Sequence, residues 1–436
     1  MVSSSSYTII HFFVFSIALF SVSCLSASHA PNSKPHPYIL PIRKDPVTNV
    51  FYTSIGIGTP RHNFNVAIDL AGENLWYDCD NNHNSSSYSP LSCDSHSCPK
   101  GSYSTCGVCH GPFKPGCTNN TCGTPNYNPL AQIIFPGDLG EDVIFISQIQ
   151  VPHFLSGCTN SHAFSAKHRL IEGLPKGNKG MIGLARSQLA LPTQLALLKK
   201  LPTKFSLCLP SSNNIGFTNL LVGPEGHPQD VSKYVQTTPL VVNKVDTGPV
   251  FEEDVPSTEH FIDVKSIKID DQVVNLKPSL LSIDSKGNGG TKISTITRFA
   301  ELQSFVYKPL VRDFLKKALE RRLKRVASVP PFGACFDSRS IGNSITGLNV
   351  PTIDLVLQGG VQWTIHGANS MVMAKKNVAC LAFVDGGTVA TMSFFKASIV
   401  IGAHQLEENL LVFDLASSKL SFSSSLLLHN KTCSHF

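Results

Sequence analysis

One carboxylate at the end of an apolar strand is the first side chain in the sequence with evident chemistry. Apolar residues recur at every second position over residues 64–68, which predicts a β-strand that delivers Asp69 at its end. Two carboxylates about 3 Å apart share one proton, because their like charges separate the two pKa values, and such a pair can activate water. Asp69 is therefore a candidate for one half of an acid dyad.

The segment around Asp69 resembles the N-terminal lobe of the pepsin-like aspartic peptidases. That family has two apolar residues, Asp-Thr-Gly-Ser and then a Leu/Val-Trp pair, and the spacing from Asp69 to Trp76 matches it. Leu70 and Ala71 stand where the family has Thr and Gly. The resemblance implies that the threonine after each catalytic Asp helps to hold the dyad, and Leu70 has no hydroxyl for this task.

The resemblance places the second half of the dyad in residues 289–297. Plant members of the family have Gly-Gly-Thr, two apolar residues and Asp-Ser/Thr-Gly there. In this chain Ser294 holds the Asp position and Ile296 the Gly position. A serine hydroxyl cannot act as a carboxylate acid or base. The resemblance therefore implies that no catalytic pair is intact and that Asp69 and Ser294 are vestigial.

Two further segments bear on a peptidase-like cleft. Asp246-Thr247-Gly248 repeats the peptidase triplet, but no apolar strand flanks it, so it is interpreted as a surface turn. Residues 132–146 are predicted to form a hairpin, which the resemblance equates with the flap that closes over substrate. Its predicted tip, residues 138–142, lacks the tyrosine that is usual in the family.

The resemblance covers about residues 47–424 of the 436-residue chain and implies an all-β fold. The expected architecture is a bilobal pepsin-like double β-barrel with a few short helices. Lobes of about 200 residues each fall within the usual size range of domains. We expect a signal peptide at residues 1–30, an N-terminal arm at 31–46, an N-terminal lobe at 47–236 and a C-terminal lobe at 237–436. The N-terminal lobe contains a cysteine-rich insert at residues 80–128.

The first thirty residues predict secretion. They contain no Lys, Arg, Asp or Glu, and their apolar run over residues 9–22 is shorter than the roughly 18 residues of a membrane span. Ser28-His29-Ala30 then fits a small-x-small cleavage site. We therefore expect an extracellular product, in the apoplast or cell wall, with no membrane association once the signal peptide is removed.

Cysteine usage fits the same compartment. Cys24 lies in the signal segment, and the even number that remains of the 13 cysteines favours disulfides in a secreted chain. Cys106-x-x-Cys109 alone could also indicate zinc or a redox pair. The predicted disulfide cysteines are Cys79, Cys93, Cys98, Cys106, Cys109, Cys117, Cys122, Cys158, Cys208, Cys335, Cys380 and Cys433. Three sequons make glycosylation sites of Asn84, Asn119 and Asn430.

The net charge of +6 suits acidic partners but is too diffuse to indicate nucleic acid. No phosphate-binding loop or zinc spacing is present, so neither a cofactor nor a metal is expected. One long, basic helix is predicted within residues 301–325, with Leu310, Phe314 and Leu319 in its apolar stripe. It is interpreted as the solvent face of a packed helix, and a membrane surface or a binding helix is the alternative.

Within the pepsin-like fold, Ser294, the 138–142 segment and the twelve cysteines are similar to one plant group. That group comprises extracellular dermal glycoproteins, xyloglucanase and xylanase inhibitor proteins and basic 7S globulins. The resemblance implies a secreted, catalytically inactive protein that inhibits microbial cell-wall-degrading glycoside hydrolases. Analogy with the group pairs Cys208 with Cys433 and Cys335 with Cys380.

A glycosidase presents two carboxylates beside the scissile bond, and a cationic or imidazole group can pair with them by charge-assisted hydrogen bonds. In the family's inhibitors a His or Arg just before the last cysteine does this, and His429 stands four residues before Cys433. His429, helped by Lys431, is therefore the predicted inhibitory residue. The alternative is an exposed tail histidine beside a disulfide, since a glycan on Asn430 would obstruct insertion.

Three functional classes remain open. An inhibitor of glycoside hydrolases is favoured by the resemblance. An atypical aspartic endopeptidase could act through Asp69 alone or with an unusual partner. A storage or peptide-binding protein similar to the basic 7S globulins would have no enzyme as its target.

Overall fold

The structure is a computed structural model, and it describes most of the chain beyond the predicted signal peptide. The described residues are 38–79, 84–99, 106–107, 113–159, 170–212, 214–220, 233–249, 252–388 and 397–435. The signal peptide, residues 31–37 of the arm and Cys109 lie outside them. Of the helices in these stretches, none has the length and apolar character that crossing a membrane requires.

In the described part of the first half of the chain, alternating apolar residues make the regular secondary structure almost entirely strand. Its one described α-helix is α1 (Leu191–Lys199). Its strands are β1 (Ile39–Lys44), β2 (Phe51–Ile57), β3 (His62–Asp69), β4 (Leu75–Asp78), β5 (Ser89–Pro90), β6 (Cys106–Gly107), β7 (Thr121–Asn128), β8 (Ile133–Ile146), β9 (Ile149–Thr159), β10 (Asn178–Gly183), β11 (Lys204–Cys208) and β12 (Gly216–Asn219).

In the second half, strands again outnumber helices, and the longest helix of the described residues lies here. The helices are α2 (Ser304–Glu320), α3 (Gly367–Ser370) and α4 (Ala403–Leu406), with short 3-10 turns that include Leu426–His429. The strands are β13 (Gln236–Val241), β14 (Phe261–Ile262), β15 (Val264–Ile269), β16 (Gln272–Val273), β17 (Thr291–Ile293), β18 (Ala300–Leu302), β19 (Arg325–Val326), β20 (Cys335–Asp337), β21 (Asn343–Ser344), β22 (Gly347–Leu348), β23 (Ile353–Leu357), β24 (Gln362–Ile365), β25 (Met371–Lys375), β26 (Val378–Leu381), β27 (Phe383–Asp385), β28 (Ile399–Ile401), β29 (Leu410–Asp414) and β30 (Lys419–Phe422).

A six-stranded antiparallel sheet joins the two halves. Its order is β1, β12, β11, β29, β30 and β13. Phe205 of β11 lies opposite Phe413 of β29, and their stacked rings have centroids 4.7 Å apart in the core. Because Leu40 and Ile42 are buried in alternation with exposed neighbours, the end of the predicted arm is itself a strand of this sheet.

Each half repeats one arrangement, in which a loop leaves the end of a strand. In the first half, β3 ends at Asp69 and lies parallel to β10, with Gly183 opposite Asp69. In the second half, β17 ends just before Ser294 and lies parallel to β28, with Ile401 opposite Ile293. The predicted all-β, two-lobed plan is confirmed.

The predicted long helix is α2, and its core face is largely as expected. Leu310, Phe314 and Ala318 are at most 1% exposed. Leu319 was placed on the same stripe, and that prediction is wrong, because Leu319 is 74% exposed. Five residues of helix rotate its side chain by about 140° from that of Phe314.

Five disulfides are present in the described part of the chain: Cys79–Cys158, Cys93–Cys106, Cys98–Cys122, Cys208–Cys433 and Cys335–Cys380. Both pairings expected by analogy are confirmed. Cys117 is also disulfide-bonded. Since Cys106 is cross-linked, it is neither a zinc ligand nor half of a Cys-x-x-Cys redox pair. In the same stretches, no group of three or more His, Cys, Asp or Glu is arranged to hold a metal.

Candidate functional site

Asp69 lies at the end of β3, with 5% of its surface exposed. Its Oδ1 accepts a hydrogen bond from Ala71 N at 2.9 Å, and its carbonyl accepts one from Leu184 N at 2.9 Å. Burial raises the pKa of Asp69 to about 6; the Ala71 bond opposes this, the Glu259 charge adds to it, and the Lys292 charge lowers it. The carboxyl therefore holds a proton in mildly acidic solution.

Ser294 occupies the corresponding position after β17 and is 8% exposed. Its Oγ accepts hydrogen bonds from Ile296 N at 3.2 Å and Thr297 N at 3.0 Å. Its own backbone N donates to Ile401 O at 2.9 Å. The hydroxyl therefore shapes its own loop, and unlike a carboxyl it does not ionise in the accessible pH range.

One threonine joins the two loops. Thr295 Oγ1 donates to Ile68 O at 2.6 Å and accepts from Leu70 N at 3.1 Å, and both bonds are buried. Leu70 has no side-chain oxygen with which to make the reciprocal bonds, and its side chain lies in the main hydrophobic core. The link between the loops is therefore one-sided, in agreement with the absence of a hydroxyl at position 70.

We expect Thr295→Val to lower the free energy of unfolding by about 2 kcal/mol, since an isosteric methyl group leaves the buried Leu70 N–H without its acceptor. Urea unfolding measures the change. Thr295→Ser keeps the hydroxyl and should lose less than half as much. A Thr295→Val protein as stable as the wild type would show that these hydrogen bonds do not stabilise the loops.

One ammonium lies among the carboxylates near Asp69. Lys292 of β17 donates to Glu259 Oε1 at 2.8 Å, and Thr247 Oγ1 donates to Glu259 Oε2 at 2.6 Å. The side chains of Lys292 and Glu259 are 26% and 10% exposed. Burial acts to lower the pKa of Lys292, but the charges of Glu259 and Asp69 outweigh it and raise that pKa. The charged neighbours of Asp69 thus include a fixed ion pair, which sequence reasoning missed although a lysine inside an apolar strand was visible.

The hairpin beside this site differs from the predicted one. Residues 138–142 are not a tip, because they pair with β9 in the middle of the long strand β8, and the turn between β7 and β8 falls at residues 129–132. Tyr127 lies near this turn, and its carbonyl accepts a hydrogen bond from Trp76 Nε1 at 3.1 Å. Burial and then the charge of Asp69 raise the pKa of Tyr127. The predicted position of the tip is therefore wrong, and Tyr127 lies close to the true one.

Asp246-Thr247-Gly248 lies in a loop, and its first residue is buried whereas Thr247 and Gly248 are partly exposed. Asp246 is 7% exposed. Its two carboxylate oxygens accept hydrogen bonds from Gly248 N at 2.8 Å and Glu252 N at 2.9 Å. Thr247 in turn supports Glu259. The triplet thus braces the ion pair that Glu259 forms with Lys292.

A buried imidazole lies behind the Asp69 loop. His260 is 0% exposed, and its Nε2 donates to Leu184 O at 2.8 Å. Its ring packs against Phe413, with centroids 4.7 Å apart, and Nδ1 has no hydrogen-bond partner among the described residues. Burial lowers the pKa of His260 to about 4; the Leu184 bond opposes this shift and the Arg186 charge adds to it. His260 is therefore a neutral hydrogen-bond donor at neutral pH.

The predicted inhibitory residues lie together elsewhere, at the C-terminal segment. His429 ends the short 3-10 turn and is exposed, and its ring lies over that of Tyr234 with centroids 3.9 Å apart. Lys431 Nζ lies 5.4 Å from the centroid of the same Tyr234 ring. The disulfide between Cys208 and Cys433 ties this segment to β11. Sequence reasoning missed Tyr234, since nothing near it in the chain marks it as a partner of residues almost 200 positions away.

Comparison with known proteins agrees with this architecture. A family model described as xylanase inhibitor N-terminal matches residues 51–223, and one described as xylanase inhibitor C-terminal matches residues 259–424. The chain belongs to the xylanase inhibitor family. It is 40% identical to "Probable aspartic proteinase GIP2" of Nicotiana benthamiana, over 96% of each chain, and 32% identical to the basic 7S globulin of Glycine max, over 98% of this chain and 97% of that one.

Solved structures place this xylanase inhibitor family member in the same group. The crystal structure of edgp is 40% identical with a TM-score of 0.86, covering 93% of this chain and 99% of that one. The aspartic proteinase from Irpex lacteus has a TM-score of 0.57 at 13% identity, covering 89% of this chain and 98% of that one, which shows the fold alone. The predicted membership of the plant pepsin-like group is confirmed.

Proposed function

We propose that this xylanase inhibitor family member is a secreted protein without peptidase activity that inhibits microbial cell-wall-degrading glycoside hydrolases, of the xyloglucanase or xylanase type. The absence of peptidase activity is supported by the neighbours of Asp69, which are the Lys292–Glu259 pair and the Ser294 loop. Secretion is supported by the predicted signal peptide and by the disulfides, which form in oxidising compartments.

The observation that carries the inhibitory role is the assembly of His429 and Lys431 on Tyr234. Ordering a flexible side chain on binding costs about 0.5–1.5 kcal/mol, so a partner gains affinity when the side chain is already held. Stacking on Tyr234 and the Cys208–Cys433 bond hold His429 in this way. An imidazole and an ammonium group on one short segment complement the carboxylate pair of a glycosidase site.

The inhibitory role is tested by His429→Ala, which we expect to weaken inhibition of a sensitive xylanase or xyloglucanase by about 30-fold, the effect of losing one interface hot spot. The inhibition constant is measured for wild type and variant. His96→Ala removes an equally exposed histidine from another surface and should leave inhibition unchanged. Unchanged inhibition in His429→Ala would remove this residue from the mechanism.

The experiment must separate the histidine from a glycan beside it. Asn430 is exposed and adopts the left-handed conformation, with φ of 53°, so a glycan on it would stand next to His429. The inhibition constants are therefore compared in an Asn430→Gln background as well. Inhibition that emerges only in this background would identify the glycan as the obstacle and would leave the assignment of His429 intact.

The two alternative functions, peptidase and storage or peptide-binding protein, predict different experimental results. A peptidase would cleave peptides at acid pH in a pepstatin-sensitive manner, and we expect no turnover; turnover that disappears in Asp69→Ala would overturn the proposal. A wild-type protein that inhibits no hydrolase of either type would favour the third class, a storage or peptide-binding role like that of the basic 7S globulins.

A further inference from the structure

The side of α2 that faces away from the core carries an ordered row of side chains. Its members are all exposed: Phe305, Lys308, Arg312, Lys316 and Leu319. At about 100° per residue, these five side chains lie within about 80° of one another around the helix axis. We call this set the α2 cationic face. The opposite side of the helix is buried.

The surplus positive charge of the whole protein is concentrated on this helix and the residues that follow it. Residues 304–325 contain eight Lys or Arg against two Asp or Glu, a surplus of six. The complete chain has 36 Lys or Arg against 30 Asp or Glu, which is the same surplus. The rest of the chain is therefore neutral in sum, and the charge that looks diffuse in the composition is local in the structure.

Neighbouring carboxylates neutralise only part of this charge. The ion pairs in the region are Arg312–Asp313 at 2.7 Å, Lys317–Glu320 at 3.0 Å and Arg321–Asp270 at 2.7 Å. Across the described residues, no carboxylate lies within ion-pair distance of Lys308, Lys316, Arg322 or Arg325. Such unpaired cations attract a polyanion without first having to break internal bonds.

The geometry narrows the kind of partner. The apolar side of α2 is already packed in the core through Val306, Leu310 and Phe314, so the helix has no apolar face to insert into a membrane. Phe305 and Leu319 are 61% and 74% exposed, but they stand about 21 Å apart at opposite ends of the row. A folded protein partner would need a continuous apolar centre, and this face has none.

We propose that the α2 cationic face binds a linear acidic polysaccharide that carries carboxylates on successive sugar rings. Lys308, Arg312 and Lys316 follow one another at intervals of four residues, about 6 Å along the axis, which suits an extended chain of carboxylates. Arg312 Nε donates to Asp313 Oδ1, and the two terminal nitrogens of its planar guanidinium can donate to a carboxylate of the ligand. Phe305 at the end of the row offers an exposed ring against which the apolar face of a sugar ring packs. This site is separate from His429 and does not depend on the proposed inhibition.

The test is a binding titration of the full-length secreted protein with fluorescently labelled polygalacturonate at two salt concentrations. The combined variant Lys308→Gln, Arg312→Gln and Lys316→Gln should bind about 30-fold more weakly at low salt, and its affinity should fall less steeply with added salt because fewer counterions are released. Inhibition of a sensitive hydrolase is measured on the same samples and should not change.

A matched control removes the same amount of charge elsewhere. Lys176→Gln, Lys244→Gln and Lys375→Gln replace three exposed lysines outside α2, and this variant should bind polygalacturonate like the wild type. Equal weakening in both variants would show a response to net charge and would overturn the proposal. Tighter binding to anionic phospholipid vesicles or to duplex DNA than to polygalacturonate, or no binding by the wild type, would do the same.

Discussion

Lys292→Met is expected to lower the free energy of unfolding by about 3 kcal/mol at pH 7, because removing one partner of a largely buried ion pair leaves the other charge uncompensated. Glu259 is 10% exposed, so water does not replace the lost ammonium. Lys292 is also the cation that lowers the pKa of Asp69. Its loss raises that pKa further above about 6, so the share of the deficit that comes from Asp69 should be full above this raised pKa and should be lost as the pH falls below about 6, where Asp69 is protonated in both proteins.

The control for this prediction removes both charges. In Lys292→Met with Glu259→Gln no unpaired charge is left, and Gln can still accept the hydrogen bond from Thr247, so at least half of the lost stability should return. Urea unfolding from pH 4.5 to 8 measures all three proteins. A Lys292→Met protein as stable as the wild type at pH 7 would contradict the ion pair as a structural element.

The second large effect is the loss of folding stability in acid that comes from His260. In the folded protein its pKa is lowered to about 4, against about 6.5 in the unfolded chain, so the unfolded state binds more protons between these values. Stability from this group is therefore present above about pH 6.5 and is lost as the pH falls towards 4, by about 3 kcal/mol in all. Arg186 and Glu259 are the charged groups that act on this imidazole.

The Asp69 carboxyl makes the opposite contribution to the pH dependence of stability, over nearly the same pH range. Because its pKa is raised to about 6 in the folded state, stability from this group falls as the pH rises from about 4 to about 6. Leu184 lies between the two residues, since its N–H donates to the backbone carbonyl of Asp69 and its own carbonyl accepts from the imidazole of His260. In the wild type the two slopes therefore offset each other over this range.

His260→Gln separates the two slopes. Its amide nitrogen can replace Nε2 as the donor to Leu184 O, but it does not titrate. Denaturant unfolding at pH 4.5 and 7 should show a variant that gains stability relative to the wild type at the lower pH, by about 2–3 kcal/mol between the two conditions. A constant difference between the two proteins at both pH values would show that His260 does not titrate with the expected shift.

Local sequence patterns were sufficient for the strands that carry the site. The alternation before Asp69 predicted β3, because the pattern of a buried strand depends only on its own residues. Motif spacing, which the two loops share, then related the halves to each other.

Patterns failed where long-range pairing overrides local signals. Residues 138–142 contain three acids and a glycine and look like a turn, yet pairing with β9 keeps them in a strand of 14 residues. The tip of the hairpin was therefore predicted at the wrong residues, and Tyr127 near the true tip was missed. The contact of His429 with Tyr234 and the ion pair of Lys292 with Glu259 join separate segments, and no single stretch of sequence encodes either.

The one-sided bond made by Thr295 has a consequence for the history of this fold. A two-acid site would need a hydroxyl at position 70 and a carboxylate at position 294. We expect either step alone to be harmful: Leu70→Thr removes a fully buried apolar side chain from the core, and Ser294→Asp adds an acid near Asp69, whose pKa is already raised. Selection that proceeds through single substitutions would then meet a fitness valley, and the absence of a two-acid site would behave as an evolutionary ratchet.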